Sequence, residues 1–290
     1  MDKADGPRRL GVVLPLAMGV GPISLYALSA LSPLVLTQLH LSRSEFGSLA
    51  TVTFVMSAVG SMAAARATTA LGGRFVLLTL FVAAGMAVGV VASATSLVWL
   101  FVGVAVSGLA QSLSNPATND LISAFVPAPR QGVLVGVKQS GVQMSQFFAG
   151  LALPTAALVL GWRAAVAVTA TLAAAGWWLT LRGVPRPLTV LTRKSVRPQL
   201  PGEVWWLSGY MFLMAAGMQA TNVYLPLFSY QRTGVGATAA GLTVAVVGGM
   251  GLTSRIVWGR VSGRRPTRVQ PLLLGLSAAS VRNLSSQMRQ

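Results

Sequence analysis

The sequence predicts an all-α, polytopic membrane protein, and three observations carry that prediction: composition, the length of the apolar runs and the placement of charge. Of the 290 residues, 53% are hydrophobic and only 9% are charged, with a mean hydropathy of +0.67. Soluble domains carry about 25% charged residues. Runs of about 20 apolar residues, the length that crosses a hydrocarbon core of about 30 Å, recur along the chain.

The apolar runs predict the transmembrane helices in order. Lys3, Arg8 and Arg9 precede the first run, as in a signal peptide, but this run is too long for one and further spans follow at once. A ninth run starts near Val269 and fades by about Val281. The runs of spanning length cover residues 10–36, 46–65, 75–94, 97–125, 133–158, 164–182, 204–229 and 238–258.

The cations predict the orientation in the membrane. The net charge of +17 and the pI near 12 are high enough for a nucleic-acid partner, but the cations fall in short breaks between apolar runs. With the N-terminus inside, the outer breaks hold only Arg43, Arg163 and Arg232. We therefore expect a multi-pass protein of a bacterial-type plasma membrane with a cytoplasmic N-terminus, and no nucleic-acid partner. The inner breaks hold Lys3, Arg8, Arg9, Arg66, Arg74, Arg130, Arg182, Arg186, Arg193, Lys194, Arg197, Arg260, Arg264, Arg265 and Arg268.

The longest break suggests the domain organisation. Residues 183–203 are Pro-rich and basic, which is typical of a cytoplasmic linker. Residues 1–182 then form a six-helix N-terminal half. Residues 204–281 form a partial second half, with two full helices and part of a third, before an atypical tail at 282–290.

An internal repeat supports two related halves. Helices over 204–229 and 238–258 echo the first two helices at an offset of about 194 residues. Two such halves would make a chain of about 390 residues, so we expect a truncated or frame-disrupted product. The matched pairs are Pro33-Leu34 with Pro226-Leu227, Gly47 with Gly241, and Arg66 with Arg260.

Several chemistries are excluded by composition. The chain has no cysteine, so it has neither disulfides nor thiolate metal sites, and His40 is its single histidine. No sequence cluster of His, Cys, Asp and Glu is present that would support a membrane-embedded enzyme. We predict no enzymatic activity and no cofactor.

Two polar stripes on apolar helices are the candidate substrate path. Gln139, Gln143 and Gln146 lie at i, i+4 and i+7, next to Lys138, and a second helix carries another such stripe. Amides facing lipid are costly, so these stripes should face other helices or water. The alternative is hydrogen bonding between helices, worth about 0.6 kcal/mol per contact. The remaining path candidates are Gln111, Asn115, Asn119, Gln219, Asn222, Tyr26 and Tyr224.

Lys138 has three competing interpretations: contact with a substrate anion, a structural ion pair with Asp120, and an anchor that snorkels to the cytoplasmic surface. The predicted membrane interior offers this lysine but no deep carboxylate. A cation-binding site normally needs a buried Asp or Glu, so an anionic or neutral solute is favoured. A coupling ion such as H⁺ remains a candidate partner, although Asp120 is a poor proton carrier.

Two Gly-x3-Gly pairs predict close helix packing. They are Gly85 with Gly89 and Gly132 with Gly136. We expect them to contact neighbouring helices rather than a ligand.

The loops resemble those of the major facilitator superfamily, and the likeness covers the chain to about residue 275. It implies an all-α fold with a six-helix half and an incomplete second half. It also implies a secondary transporter of a small solute that works by alternating access, monomeric if complete. The resemblance rests on the segment from Asn115-Pro116-Ala117 to Gly161-Trp162-Arg163 and on two loops that the family uses as a cytoplasmic gate. The matching loop residues are Gly60, Arg66, Gly72, Gly73, Arg74, Gly251, Arg255, Gly259, Arg260, Arg264 and Arg265.

The sequence departs from this family in ways that leave alternatives open. An acidic residue usually stands beside the loop arginine, but here Ala64 and Ala65 precede Arg66, and Gly263 precedes Arg264. One alternative is a fragment of a transporter without activity of its own. A second is a drug/proton antiporter, although the arginine of the fourth helix and the Gly-Pro pattern of the fifth are missing.

Overall fold

The computed structural model describes residues 5–185 and 202–264, and these residues fold into a bundle of α-helices. The all-α prediction is confirmed, and each predicted run within these ranges lies on helices. The run from Val269, the linker residues 186–201 and the tail lie outside the described residues. The helices are α1 (Asp5–Val20), α2 (Ile23–Ala30), α3 (Ser32–Leu39), α4 (Arg43–Leu71), α5 (Gly73–Ala92), α6 (Leu97–Phe125), α7 (Ala128–Val168), α8 (Ala170–Gly183), α9 (Gly202–Thr233) and α10 (Ala237–Arg264).

Helix α4 shows how local sequence sets an element's ends. Ser42 Oγ accepts a hydrogen bond from the Glu45 backbone N–H, and the Glu45 carboxylate accepts one from the Ser42 N–H. This reciprocal pair satisfies backbone donors at the first turn, where a helix has none of its own partners. The helix ends at Gly72, whose φ of 81° favours glycine, and α5 begins at the next residue.

The first apolar run is broken, which corrects its prediction as one continuous helix. Helices α1 and α2 meet at Gly21–Pro22 with a bend of 56°. Proline supplies no N–H, so the ladder of backbone bonds is interrupted there. Two hydroxyls of α6 bond carbonyls next to this break: Ser107 Oγ donates to the Gly21 carbonyl at 2.7 Å, and Ser114 Oγ donates to the Ala17 carbonyl at 3.2 Å.

The fifth and sixth runs are joined without a long loop. Within α7, Gly161 has non-helical angles (φ 77°, ψ 158°), which divides the helix into two parts. Trp162 and Arg163 follow and fix the turn: the Trp162 indole N–H donates to Gln38 Oε1 at 2.6 Å, and the Arg163 guanidinium donates to the Ala94 carbonyl at 2.9 Å.

Length and composition make five stretches of the described residues suitable to cross a membrane, or six if the bent pair α1–α2 counts as one span. Helix α9 is not among them, although it covers a predicted run. The five stretches are Arg43–Leu71, Gly73–Ala92, Leu97–Phe125, Arg130–Gly183 and Ala237–Ser254.

The distribution of side chains is that of a protein surrounded by hydrocarbon. Large apolar side chains such as Val59, Val159 and Trp206 are exposed, whereas Lys138 and Gln146 are buried. Polar groups in such a protein gather inside, because lipid offers them no hydrogen-bond partners.

The chain divides into two compact units, residues 1–249 and 250–290. The first contains α1 to α9 and the beginning of α10. The domain boundary at 183–203 lies within this unit and largely outside the described residues, so it stays a prediction.

Two reciprocal contacts in the first unit match the repeat. A Cβ at Gly47 would overlap the Tyr224 hydroxyl, and a Cβ at Gly241 would lie 2.6 Å from the Ala30 carbonyl oxygen. Gly47 and Gly241 are repeat partners at the offset of 194 residues, and the same offset relates Ala30 to Tyr224. The repeat offset therefore relates the Gly47–Tyr224 contact to the Gly241–Ala30 contact. A two-fold relation between the repeats requires such a pair of equivalent contacts.

Candidate functional site

The centre of the candidate site is a buried cation. Lys138 lies on α7 and is 1% exposed. Its ammonium donates to three oxygens of α6: Asn115 Oδ1 at 3.2 Å, Thr118 Oγ1 at 3.0 Å and Asn119 Oδ1 at 2.5 Å. All three acceptors are neutral, so Lys138 is solvated by dipoles and has no counter-charge among them.

The two predicted stripes meet at this lysine. Gln139 Nε2 lies 3.5 Å from Asn115 Oδ1, so α6 and α7 are joined by two neighbouring residues of α7. Asn115 and Asn119 are exposed although α6 is one of the apolar spans, whereas Lys138 behind them is enclosed. The functional role assigned to these residues stays a prediction.

Deeper along the same helices lie amides without partners. Gln143 and Gln146 are 3% and 2% exposed, and Gln143 Oε1 and Gln146 Nε2 have no hydrogen-bond partner among the described residues. Gln111 Oε1 on α6 is likewise unpaired. Helices rise about 1.5 Å per residue, so Gln111 and Gln143 each lie about 6 Å beyond the Asn115–Gln139 contact. Unpaired buried amides are costly, which makes this level a candidate ligand-binding region.

Asp120 does not pair with Lys138, which corrects that interpretation of the lysine. Its carboxylate instead accepts a hydrogen bond from the Gly73 N–H at 2.9 Å, at the first turn of α5. A carboxylate there satisfies a free backbone donor and opposes the positive end of the helix dipole. The snorkelling interpretation also fails, because the Lys138 ammonium is held by α6. Contact with a substrate anion stays a prediction, and the three N–H bonds of the ammonium all go to oxygens of α6.

The path candidates outside α6 and α7 lie elsewhere. On α9, Asn222 Nδ2 donates to Gln219 Oε1 at 2.8 Å. Tyr224 donates to the Arg43 carbonyl at 3.2 Å, at the beginning of α4. Tyr26 is buried in α2 within an apolar cluster. None of these four side chains forms a hydrogen bond with Lys138, whose three partners all belong to α6.

The loop residues occupy structural positions where they are described. Gly60 allows α4 to approach α6, since a Cβ there would lie 2.6 Å from Ser112 Oγ. Arg66 is exposed, and the Arg74 guanidinium donates to the Leu181 carbonyl at 2.9 Å. The remaining gate candidates belong to the second unit, and their side chains lie outside the described residues; they are Arg255, Gly259, Arg260 and Arg264.

Sequence reasoning missed Thr118, the third partner of Lys138. A hydroxyl adjacent to the Asn115–Asn119 stripe was the available signal. It is ambiguous, because Thr118 also donates to the Ser114 carbonyl at 2.6 Å within its own helix.

A cavity of about 480 Å³ lies between α1 and α7, but it is separate from the polar stripes. It is lined by Pro15, Gly19, Gly141, Met144 and Phe148 among others. Met144 and Phe148 point away from the glutamine face of α7, because successive residues rotate by 100° around a helix. This groove is apolar, and we assign it no part in the path.

Comparison of the sequence with known protein families and proteins identifies its relatives. Residues 15–281 match the Major Facilitator Superfamily. Two uncharacterized MFS-type transporters of Mycobacterium tuberculosis strains are each 25% identical over 195 residues, which is 65% of this chain. The chain spans 44% of the length of these relatives.

Solved structures show the same fold. A bacterial homolog to the human lysosomal transporter Spinster, in an inward-facing and occupied conformation, superposes with a TM-score of 0.71 at 18% identity, covering 91% of this chain and 63% of that one. A D-xylose-proton symporter gives a TM-score of 0.63 at 15% identity, covering 89% and 70%. The matched family, the helical fold and the apolar spans agree, and we conclude that this chain belongs to the Major Facilitator Superfamily of membrane transporters.

Proposed function

We propose that the chain moves a small solute across the membrane by alternating access and that the solute is anionic or neutral rather than cationic. The observation that carries this proposal is the convergence of α6 and α7 at Lys138. A buried ammonium surrounded by neutral oxygens creates a positive potential, which repels cations. Polar and charged groups in membrane-spanning helices most often mark a transport path.

The proposed path lies between the helices that carry the polar stripes. Lys138, Asn115 and Asn119 form one layer, and Gln111, Gln143 and Gln146 form the next. Helix α9 would face the same path through Gln219 and Asn222. The loop residues Gly60, Arg66, Gly73 and Arg74 are proposed to contribute to a gate at the cytoplasmic end.

The reciprocal contacts support the alternating-access part of the proposal. Gly47 with Tyr224, and Ala30 with Gly241, join the two repeats at one end of the bundle. Repeats that meet in this way can rock against each other around a site near the membrane centre. The positive-inside pattern supports a cytoplasmic N-terminus in the plasma membrane, and in that orientation these contacts would lie at the outer end.

The test is transport by the purified protein in liposomes. Uptake of radiolabelled carboxylates, sugars and organic cations would be measured in turn, with and without a pH gradient that tests coupling to H⁺. We expect uptake of anionic or neutral solutes, and Lys138→Ala and Gln139→Ala should each reduce it. Uptake of organic cations alone would contradict the proposed solute class.

The alternative is that this chain has no transport activity of its own. The observation that favours it is that the chain spans 44% of the length of the curated relatives. A protein that is folded in liposomes and moves no solute of the panel would favour this alternative.

A further inference from the structure

We propose that Asn115 and Asn119 form an anion-binding site whose donors are oriented by the buried charge of Lys138, and that its ligand is a small carboxylate or similar oxyanion. This inference rests on the proposed function, because it names the solute class that the path would select.

Lys138 fixes which way each asparagine amide faces. An ammonium has three N–H donors and no acceptor, so only an amide oxygen can face it. Asn115 and Asn119 therefore turn Oδ1 toward Lys138 Nζ, at 3.2 Å and 2.5 Å. The amide NH₂ group of each residue must then point away from the lysine. The usual ambiguity between amide oxygen and nitrogen is removed at both positions.

The two outward NH₂ groups are available for a ligand. Asn115 and Asn119 are exposed, and their Nδ2 atoms have no hydrogen-bond partner among the described residues. The residues are four apart on α6, so they lie on one face with their Cα atoms about 6 Å apart. Exposed amide donors on an apolar spanning helix belong beside a water-filled path rather than lipid.

The positive charge of Lys138, which lies behind the amides of Asn115 and Asn119, favours a negatively charged ligand. The three N–H bonds of Lys138 are used by Asn115, Thr118 and Asn119, so the lysine acts through its field rather than by direct contact. The neighbouring carboxylate, Asp120, is bound to the Gly73 N–H. An amide that donates outward while accepting from an ammonium is polarised, which strengthens its bond to an anion. A neutral amide ligand gains much less from the same field.

The experiment compares matched ligands by thermal unfolding of the purified protein in detergent, followed by tryptophan fluorescence. The probes are acetate and lactate, with acetamide and lactamide as neutral analogues of the same shape. A ligand that binds the folded state raises the unfolding temperature, and the stabilisation grows with the logarithm of its concentration once this exceeds Kd. We expect the wild type to be stabilised by the carboxylates and not by the amides.

Variants separate charge from shape. Lys138→Gln should weaken carboxylate binding at least about tenfold, whereas Lys138→Arg should retain most of it. Asn119→Asp supplies a counter-charge to Lys138, so it should fold and yet lose carboxylate binding. Arg130→Gln is the matched control, because it removes one exposed positive charge at the beginning of α7 and should bind as the wild type does.

Three results would overturn the inference: equal stabilisation by the amides, unchanged carboxylate binding in both Lys138→Gln and Asn119→Asp, or no stabilisation of the wild type by either carboxylate. Uptake of radiolabelled solute into liposomes keeps this inference distinct from the proposed function. Carboxylate binding without any uptake would refute transport and leave the site standing. Carboxylate uptake that is insensitive to Lys138→Gln would refute the site and leave transport standing.

Discussion

Ser29 contacts its own repeat partner, Val223. The Ser29 hydroxyl lies 3.2 Å from the Val223 carbonyl oxygen and 2.9 Å from that of Asn222. Ser29 and Val223 are 194 residues apart, which is the offset that relates the two halves. A residue that touches its counterpart in a two-fold arrangement must lie close to the axis. The axis therefore passes between α2 and α9.

This position predicts a cross-link that reports on opening of the bundle. The chain has no cysteine, so Ser29→Cys with Val223→Cys introduces the only thiols. We expect oxidation to join them, as detected by mass spectrometry of the linked peptide, and to reduce transport until the disulfide is reduced. The control pairs Ser29→Cys with Leu207→Cys, which lies on the first turns of α9. Equal linkage in both pairs would contradict the axial contact.

Asp120 should matter for stability independently of Lys138. Asp120→Ala removes the acceptor for the Gly73 N–H and the charge at the first turn of α5, so we expect a loss of about 1–2 kcal/mol in unfolding free energy. Asp120→Asn should lose less, because its amide oxygen still accepts. In a double-mutant cycle with Lys138→Met, the coupling should stay below about 0.5 kcal/mol. A coupling energy well above that value would indicate an ion pair between Asp120 and Lys138.

The unpaired amides of Gln143 and Gln146 should lower the stability of the folded protein and support transport. Replacing Gln143 or Gln146 by Leu removes a buried polar atom that has no partner, so the unfolding temperature should stay constant or rise. If these amides bind solute, transport should fall at the same time. Met144→Leu, on an exposed face of α7, should change neither quantity. Lower stability with intact transport would indicate that these glutamines form hydrogen bonds between helices and do not bind the solute.

Two glycines of α7 should respond oppositely to alanine. A Cβ at Gly141 would overlap the Pro15 carbonyl of α1, so Gly141→Ala should destabilise the protein by about 1–3 kcal/mol. Nothing lies within 4 Å of a Cβ at Gly136, so Gly136→Ala should be neutral or stabilising by up to about 1 kcal/mol. Unfolding midpoints in denaturant measure both. Equal losses would contradict the close approach of α1 and α7.

The Gly136 result also bears on what the sequence could predict. The Gly132-x3-Gly136 spacing predicted close packing, but nothing lies within 4 Å of a Cβ at either residue. The close contact forms at Gly141 instead. Spacing alone does not say which face of a helix meets a neighbour, so a small-residue pattern cannot identify its own partner.

The same limit explains why Asp120 was wrongly considered as the partner of Lys138. Helical periodicity placed Asn119 in one polar stripe and Lys138 beside another, but it did not predict that Asn119 accepts from Lys138. Counting residues also placed Asp120 at a suitable depth, but Asp120 follows Asn119 by about 100° of rotation and so faces α5. Depth follows from sequence directly, whereas rotation depends on which helices are neighbours. The prediction of one continuous first helix missed the break at Gly21–Pro22. Pro22 was the available signal, but Ser107, whose hydroxyl bonds the Gly21 carbonyl, lies 86 residues away in the sequence.

That break has a consequence for how the protein is made. The Ala17 and Gly21 carbonyls of this span accept hydrogen bonds from Ser114 and Ser107, which are synthesised later. Until α6 arrives, the Gly21 carbonyl lacks its Ser107 donor, and an unpaired carbonyl in lipid is costly. We therefore expect the bend at Gly21–Pro22 to reach its final form only when α6 inserts.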